Sequence, residues 1–354
     1  MDTGPQNVLG KRPSLVDPLV QLFVSKIEPF VGKKDMEFEG RIGLICAPSD
    51  KRKQQTRERL ILPVLTETVL VSSDSTTASG KSFRHEFDPN LDKKVFDKIK
   101  NRLDEILAGN STPTSWPLFK IIACTSSHTV DEVYKKPYNV RMSFPWATYA
   151  HEGAEPLEII AKDHVEKIDI WSGYFCDMDE EGVIEDEGKV RHPFDFRLAV
   201  NVEKKYPTKI CGDFSKSDCV LKREKRRTSY DMKAWVVDLT HVTMIGSNEP
   251  DRYEVEVELK SDLLLEQMDR RSKGKPHGAY QIVNDFLYFL RDICFAFAED
   301  EARQTTKRGG YPEMTSCEPS DEKRRKFVQV TGSDVFPIIG DYIYQILGEV
   351  GPPS

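Results

Sequence analysis

The chain has 354 residues, of which 38% are hydrophobic and 31% are charged, with a formal net charge of −7 and a mean hydropathy of −0.50. This length suffices for one large domain or two small ones, and the negative charge argues against general coating of nucleic acid. No apolar run approaches the roughly 18 residues of a membrane span, and the first residues lack the basic and apolar blocks of a secretory signal. The seven scattered cysteines form no metal or disulfide pattern, which favours reduced thiols inside the cell.

Hydrophobic periodicity predicts the elements in chain order. A helix is expected over 18–28, a strand with Glu37 and Glu39 runs to residue 44, a short strand covers 83–87, and an amphipathic helix covers 91–107. Alternating apolar and polar residues then predict further strands, over 119–125, 130–134, 140–144, 157–160, 165–171, 196–202, 228–234, 235–244 and 253–259. A long apolar-periodic helix is expected over 279–297. Many short strands at short spacing indicate an antiparallel barrel or sandwich.

One acidic segment, 176–190, interrupts the strand pattern. It holds seven carboxylates but lacks the Asp-x-Asp-x-Asp-Gly spacing of a calcium-binding EF-hand loop. We therefore expect an acidic surface loop rather than a calcium site.

Two short segments place glutamates at every second position. Glu254, Glu256 and Glu258 alternate with aliphatic residues, and Glu37 and Glu39 flank a phenylalanine. A strand's period of two puts each set on one face of a sheet. Such a face is often simply solvated, although like charges in a row destabilise a sheet unless a cation neutralises them. The alternative is a polar interior that holds a divalent cation, and oxygen-only ligands favour magnesium or manganese over zinc.

Basic residues lie in predicted strands between the two glutamate segments. Arg141, Lys162 and Arg197 stand in separate strands, and Lys225 and Arg227 share one face of another. Each of them alone is most often a solvated side chain. Collected inside a closed barrel they would be costly unless anions neutralised them, and carboxylates, a metal and a polyphosphate together would do so. Because the chain has no Walker loop and no Gly-x-Gly-x-x-Gly segment, side chains would have to bind the phosphates.

Four motifs occur in a characteristic order along the chain. They are Glu-Phe-Glu-Gly-Arg-Ile-Gly at 37–43, Lys-Arg-Arg-Thr-Ser-Tyr at 225–230, Val-Asp-Leu-Thr at 237–240 and Tyr-Glu-Val-Glu-Val-Glu-Leu at 253–259. Over roughly residues 30–298 the chain resembles the fungal and protozoal mRNA 5′-triphosphatases, which are triphosphate tunnel metalloenzymes. The resemblance implies an α+β, mainly β fold, namely an eight-stranded antiparallel β-barrel (the triphosphate tunnel) with flanking helices.

The resemblance also implies a metal centre and a water-activating pair. The residues at the positions of the family's metal ligands are Glu37, Glu39 and Glu258, which would bind Mg²⁺ or Mn²⁺. Glu203 and Glu256 would orient or deprotonate the attacking water.

The same resemblance places basic residues around the triphosphate, at Arg141, Lys162, Arg197, Lys225 and Arg227. Glu254 and Asp238 would hold basic side chains in place, and Asp131 would be a supporting polar residue. The chain departs from the family where His164 replaces a usual arginine and Val236 replaces a frequent basic residue.

The implied activity is metal-dependent hydrolysis of the γ-phosphate from the 5′-triphosphate end of nascent mRNA, the first step of cap formation. The chain would then be a polynucleotide 5′-phosphatase of the nucleus, with 5′-triphosphate RNA as substrate, an mRNA guanylyltransferase as partner, a possible homodimer and no membrane association. Within the same fold, hydrolysis of a nucleoside triphosphate or inorganic polyphosphate, or cyclisation by a class IV adenylate cyclase, is the alternative. An alternative of another class is a non-catalytic β-barrel scaffold subunit.

Three regions are expected on this basis. Residues 1–17 form a flexible N-terminal segment, and residues 18–298 form the triphosphate tunnel domain. Residues 299–354 form a polar linker, expected to be disordered over 299–326, and a short apolar C-terminal segment over 335–347.

Overall fold

The computed structural model describes residues 17–48, 59–60, 62, 67–70, 85–109, 120–151, 153–178, 184–191 and 194–296. The predictions for 1–16, for the linker over 299–326 and for the apolar segment over 335–347 lie outside these described residues. Within this part of the chain, none of the helices combines the length and the apolar character that crossing a membrane requires.

The described elements are mainly strands. The α-helices are α1 (Pro18–Ile27), α2 (Lys93–Leu107), α3 (Trp146–Tyr149), α4 (Ser261–Ser272) and α5 (Ala279–Ala296). The strands are β1 (Met36–Cys46), β2 (Thr68–Leu70), β3 (Glu86–Asp88), β4 (Ala123–Tyr134), β5 (Val140–Pro145), β6 (Glu158–Trp171), β7 (Tyr174–Met178), β8 (Ile184–Arg191), β9 (Asp195–Tyr206), β10 (Cys219–Met232), β11 (Trp235–Met244) and β12 (Arg252–Leu259). Short 3₁₀ turns cover Glu28–Phe30, Thr208–Asp213 and Lys216–Asp218.

Eight of these strands close into an antiparallel barrel. The order around the barrel is β1-β12-β11-β10-β4-β5-β6-β9, and β9 pairs with β1 to complete the ring. β3 extends the sheet beside the end of β1, β2 pairs with the end of β6, and β7 and β8 form a separate hairpin. The predicted eight-stranded antiparallel barrel with flanking helices is therefore confirmed.

Several predicted boundaries were wrong because polar residues hide strands from a hydrophobic pattern. The predicted pairs 119–125 with 130–134 and 157–160 with 165–171 are the single strands β4 and β6. In β4, residues 126 and 127 between the two predicted strands are exposed on both faces. In β6, the residues between the predicted strands include Lys162, which faces the interior, and a bulge follows between His164 and Glu166. β10 begins nine residues before the predicted 228, at Cys219, and α4 was not predicted. The acidic segment expected to be a loop contributes to the paired strands β7 and β8.

The main core lies between the outer face of the barrel and the helices α1, α2, α4 and α5. Phe286 and Leu290 of α5 are fully buried against β1, where a Cβ at Gly40 would lie 2.5 Å from Leu290 Cδ1. Glycine at this position therefore lets the helix approach the strand closely. Truncating a side chain such as Leu290 to alanine would cost about 2–5 kcal/mol.

A second apolar cluster lies on the interior side, at one end of the barrel. It contains Ile45, Leu62, Leu70, Phe87 and Trp171. By the period of two, Ile45 shares a face of β1 with Glu39, and Trp171 shares a face of β6 with Asp169. The polar interior thus ends against a packed apolar cluster at this end of β1 and β6.

Candidate active site in the barrel interior

Alternate residues of the barrel strands face the interior, where polar side chains from non-neighbouring strands meet. Lys162 on β6 contacts Glu37 and Glu39 on β1, although β9 lies between these strands. Arg227 on β10 lies 3.9 Å from Glu256 on β12, across β11. The residues that alternate with them, such as Phe38 and Val257, pack in the core with the helices, so the charged faces point into the barrel.

The glutamate pair on β1 is surrounded by donors. Lys162 Nζ contacts Glu37 and lies 3.1 Å from Glu39 Oε2 and 3.9 Å from Glu203 Oε1. Asn201 Nδ2 donates to Glu37 Oε2 at 2.9 Å and to Glu39 Oε1 at 3.0 Å. Burial and the adjacent Glu39 raise the pKa of Glu37 above its ordinary value, although Lys162 opposes the change. Three carboxylates therefore share one ammonium group.

Glu258 adds another carboxyl group to this wall, because the register pairs it with Glu39. Burial raises the pKa of Glu258 to about 8, and the nearby Glu37, Asp238 and Glu203 act in the same direction. We call Glu37, Glu39, Glu203 and Glu258 the acidic cluster. Its charge is only partly balanced by the protein's own cations.

Glu256 has the opposite environment. Arg41 Nη2 lies 2.8 Å from its carboxylate, and Arg227 approaches it from the other side. Burial alone would raise the pKa of Glu256, but Arg41 and Arg227 outweigh burial and hold it at about 2. Arg227 is also fixed by Asp238 Oδ2 at 2.6 Å and by Thr240 Oγ1 at 3.2 Å. Glu256 is therefore an anion that anchors two guanidinium groups.

A surplus of positive charge gathers around the buried Asp131. Its Oδ2 lies 3.1 Å from Arg223 Nη2, 3.4 Å from Lys225 Nζ and 4.0 Å from Arg141 Nε. Ser143 Oγ donates to Oδ1 at 2.8 Å. Burial and the cation on Arg227 lower the pKa of Lys225 to about 8. Arg141, Arg223, Lys225 and Arg227, which we call the basic cluster, present more cations than Asp131 can neutralise.

Arg197 lies opposite Arg41 in the register of β9 and β1 and pairs with an acidic residue of β6. Its Nε and Nη2 lie 2.5 Å and 2.8 Å from the two oxygens of Asp169, and its guanidinium sits 4.7 Å above the ring of Phe87. His85 Nε2 is 2.7 Å from the same carboxylate. Burial would raise the pKa of Asp169, but Arg197 and His85 lower it below its ordinary value. Arg197, Asp169, His85 and Phe87 form what we call the end group, which borders the interior apolar cluster.

Most of the chain matches the model of one known protein family. Residues 21–175 and 191–293 match the mRNA triphosphatase family model, described as the mRNA capping enzyme, beta chain. The chain belongs to this family. Membership assigns it to the hydrolases of RNA 5′-triphosphate ends that act in mRNA capping, and it confirms the family inferred from the four motifs.

Solved structures show the same fold for this mRNA triphosphatase. The S. pombe Pct1 RNA triphosphatase is 17% identical with a TM-score of 0.57, over 83% of this chain and 98% of that chain. Pct1 in complex with the Spt5 CTD is 19% identical with a TM-score of 0.57, over 83% and 97% of the two chains. No curated protein matches the chain.

Most residues proposed from the motifs gather in the interior of this mRNA triphosphatase. The connected network around the acidic and basic clusters contains both sets of strand glutamates and most of the proposed basic residues. Its members are the glutamates of β12, the pair on β1, Glu203, Lys162, Arg141, Lys225, Arg227 and Asp238. Arg197 differs from these residues in its partners, because its guanidinium donates to Asp169 and lies over the ring of Phe87.

The sequence analysis assigned no role to Arg41, Asn201, Asp169 and Arg223, which all take part in the interior network. Strand parity was the available signal for them. Arg41 lies two residues after Glu39, and Arg223 lies two residues before Lys225, so each pair shares a strand face.

The acidic cluster has the donor chemistry for a hard divalent cation. Within the described part of the chain, no three acidic, histidine or cysteine side chains converge closely enough to enclose an ion. Lys162 Nζ instead lies between Glu37 and Glu39. The ammonium is thus the cation between the two carboxylates, and burial together with the neighbouring carboxylates raises the pKa of Glu258.

Proposed function

We propose that the barrel interior hydrolyses the γ-phosphate from the 5′-triphosphate end of nascent mRNA in a metal-dependent reaction. The observation that supports this site is the charge division of the tunnel, with the acidic cluster on β1, β9 and β12 and the basic cluster on β4-flanking strands β5 and β10. A triphosphate fits this division of charge. The basic cluster would contact its oxygens directly, and a metal ion held by the acidic cluster would contact them from the opposite wall.

The cofactor in this proposal is Mg²⁺ or Mn²⁺. Glu37, Glu39 and Glu258 would hold the ion, and it would supply Lewis-acid polarisation of the phosphate when bound. Lys162 would then be released from the carboxylate pair and could contact phosphate oxygens instead, because two cations between the same carboxylates repel each other.

The basic cluster would bind the phosphate chain. Arg227 is preset by Asp238 and Thr240, so its guanidinium needs little reorganisation to meet an oxygen. Lys225 and Arg141 border it through Asp131, and phosphate binding would favour the charged form of Lys225. Arg197, which the sequence analysis places around the triphosphate, donates to Asp169 through Nε and Nη2, and in this proposal it supports the tunnel end.

The reaction is an in-line attack of water on the γ-phosphorus. The bond from water oxygen to phosphorus forms while the bond to the β–γ bridging oxygen breaks, giving inorganic phosphate and RNA with a 5′-diphosphate end. Glu256, with a pKa of about 2, is too weak a base to take the proton and would orient the water. Glu203 lies beside the metal ligands and Lys162, and it would accept the proton.

The experiment is to measure phosphate release from RNA labelled on the γ-phosphate, with Mg²⁺, Mn²⁺ or chelator. The native chain is compared with Glu37→Gln and Glu258→Gln. Glu166→Gln is the matched control, because Glu166 is a strand glutamate that pairs with Lys26 outside the tunnel at 3.1 Å. We expect metal-dependent release that both tunnel variants lose and the control retains.

Other outcomes would overturn the proposal in different ways. Release from ATP or tripolyphosphate but not from RNA would make the protein a tunnel-fold hydrolase of another substrate. No release from any of these, with a folded chain, would favour the scaffold function.

The family also supports proposals for partners and place of action. We propose that the protein acts in the nucleus, binds an mRNA guanylyltransferase and forms a homodimer. Fluorescence microscopy of the tagged chain, co-purification with that enzyme and sedimentation equilibrium would test these three points separately. Exclusion from the nucleus would contradict the proposed place of action, and failure to co-purify would contradict the guanylyltransferase partner. A monomer at micromolar concentration would contradict the homodimer.

A further inference from the structure

Asn201 joins the two carboxylates of β1 through a single amide. The residue is fully buried, and its Nδ2 donates to Glu37 Oε2 and to Glu39 Oε1. The amide orientation follows from this contact, because the flipped amide would place its oxygen against two carboxylate oxygens. The carbonyl oxygen of Asn201 therefore points away from the carboxylates and needs a donor of its own.

His164 supplies that donor. Its Nδ1 lies 2.6 Å from Asn201 Oδ1, and since this oxygen can only accept, Nδ1 must carry the proton. The ring reaches this position because the register of β6 and β9 pairs His164 directly with Asn201. The hydrogen bonds thus run in one direction, from imidazole to amide to carboxylates.

This chain of donors differs from Lys162, which contacts the same two carboxylates. An ammonium would be repelled by a divalent cation and attracted by phosphate, so its contact with the pair depends on the ligands present. A neutral amide has no net charge to repel or attract. Asn201 can therefore keep its hydrogen bonds to Glu37 and Glu39 in every state of the site.

We infer that His164 and Asn201 are positioning residues for the cation site, His164 fixing the Asn201 amide and the amide fixing the spacing of Glu37 and Glu39. The inference rests on the proposed function, in which those two glutamates are metal ligands. Histidine is suited to this place, since a neutral imidazole donates without adding a cation beside the site. Partners of this kind behind metal ligands change metal affinity by about 10–100-fold.

The test is Mn²⁺ binding by the full chain, measured by isothermal titration calorimetry without substrate. Asn201→Ala removes the amide, and we expect Mn²⁺ affinity to fall by about 10–100-fold. His164→Gln and His164→Asn form a matched pair, because asparagine places an N–H near the Nδ1 position of histidine and glutamine does not. We expect a loss of about 10-fold with glutamine and recovery of most of it with asparagine.

A second readout separates positioning from loss of structure. RNA triphosphatase activity of Asn201→Ala and His164→Gln should approach the native rate when Mn²⁺ is raised to saturation, because only the spacing of the ligands is disturbed. His128→Gln is the control, since His128 stacks on Trp146 and contacts Glu224 away from these carboxylates. The control should bind Mn²⁺ as the native chain does.

Native Mn²⁺ affinity in both Asn201→Ala and His164→Gln would overturn the inference. So would equal affinities of His164→Gln and His164→Asn, or a lost activity that saturating metal leaves unrestored. A native chain that neither binds Mn²⁺ nor releases phosphate from RNA would instead refute the proposed function, which is a distinguishable result.

Discussion

The acidic cluster and the end group line the same tunnel, yet their charges are balanced in opposite ways. Asp169 in the end group receives two hydrogen bonds from Arg197 and a contact from His85, and its pKa is lowered as a result. Glu258 in the acidic cluster faces other carboxylates, and its pKa is raised to about 8. The protein's own cations neutralise the first carboxylate, whereas in the proposed function a bound metal ion would neutralise the second.

In the proposed function, this difference in charge balance separates residues that stabilise the barrel from residues that bind the metal and the phosphates. A buried ion pair with good geometry costs stability when one partner is removed. A buried charge without compensation lowers stability while it is present and is kept where function needs it. Substitutions in the end group should therefore reduce mainly stability, whereas substitutions in the acidic cluster should reduce mainly activity.

The largest expected effect is on activity in the acidic cluster. Glu39→Gln keeps the size of the side chain but removes the charge of a proposed metal ligand that is 3% exposed and contacted by Lys162 and Asn201. Metal assistance contributes several kcal/mol to such reactions, so we expect kcat/KM for RNA to fall at least about 1,000-fold. Steady-state kinetics with Mn²⁺ measures this. A loss below tenfold would contradict the assignment of Glu39 as a ligand.

The next effect is on stability in the end group. Asp169→Ala removes the bidentate partner of Arg197 and the carboxylate contact of His85, and we expect the free energy of unfolding to fall by about 3 kcal/mol. Urea denaturation measures it. Because the folded pKa of Asp169 is lowered, its contribution is present above the ordinary value of 3.8 and is lost as the pH falls through the folded value. Unchanged stability at pH 7 would refute the structural role of this pair.

The third expected effect is a dependence of stability on pH that is opposite in direction to that of Asp169. The folded pKa of Glu258 is raised to about 8 from 4.5, so its stabilising protonated form is fully present below 4.5 and is lost as the pH rises through about 8. In chelator, the native chain should therefore lose about 2 kcal/mol of stability between about pH 6.5 and pH 9 from this group. Glu258→Gln should lose less over the same range and be the more stable chain at pH 9. A native chain as stable as the variant at pH 9 would contradict the charge imbalance.

The barrel could be predicted because its strands alternate and its motifs stand in a fixed order, but the balance within the tunnel could not. Arg197 carries the same side chain as Arg141, and nothing local to either residue shows that Asp169, 28 residues earlier in the chain, will occupy one of them. Asn201 was visible as a residue on the face of Glu203. Its partner His164 could be seen only as the replacement of an arginine, because the hydrogen bond depends on the register in which β6 pairs with β9.

The smallest expected effect concerns Asp238, which combines both kinds of environment. It is 6% exposed and holds Arg227 Nη1 at 2.6 Å through Oδ2, while its Oδ1 is buried without a hydrogen-bond partner. Asp238→Asn can still accept from Arg227 but loses the charge, and Thr240 continues to hold Arg227 Nε. We expect kcat/KM for RNA to fall about tenfold, whereas Asp238→Leu, which cannot accept, should lose more.

Stability distinguishes the role of Asp238 from that of Asp169. Asp238 lies beside Glu258 and contributes to its raised pKa, so removing the negative charge with Asp238→Asn relieves repulsion as it weakens the contact to Arg227. We therefore expect the free energy of unfolding at pH 7 to change by less than about 1 kcal/mol, against the larger loss for Asp169→Ala. If Asp238→Asn and Asp169→Ala lost the same free energy of unfolding in thermal and urea denaturation, Asp238 would stabilise the barrel as Asp169 does. Loss of activity without loss of stability would place Asp238 with the ligand-binding side of the tunnel.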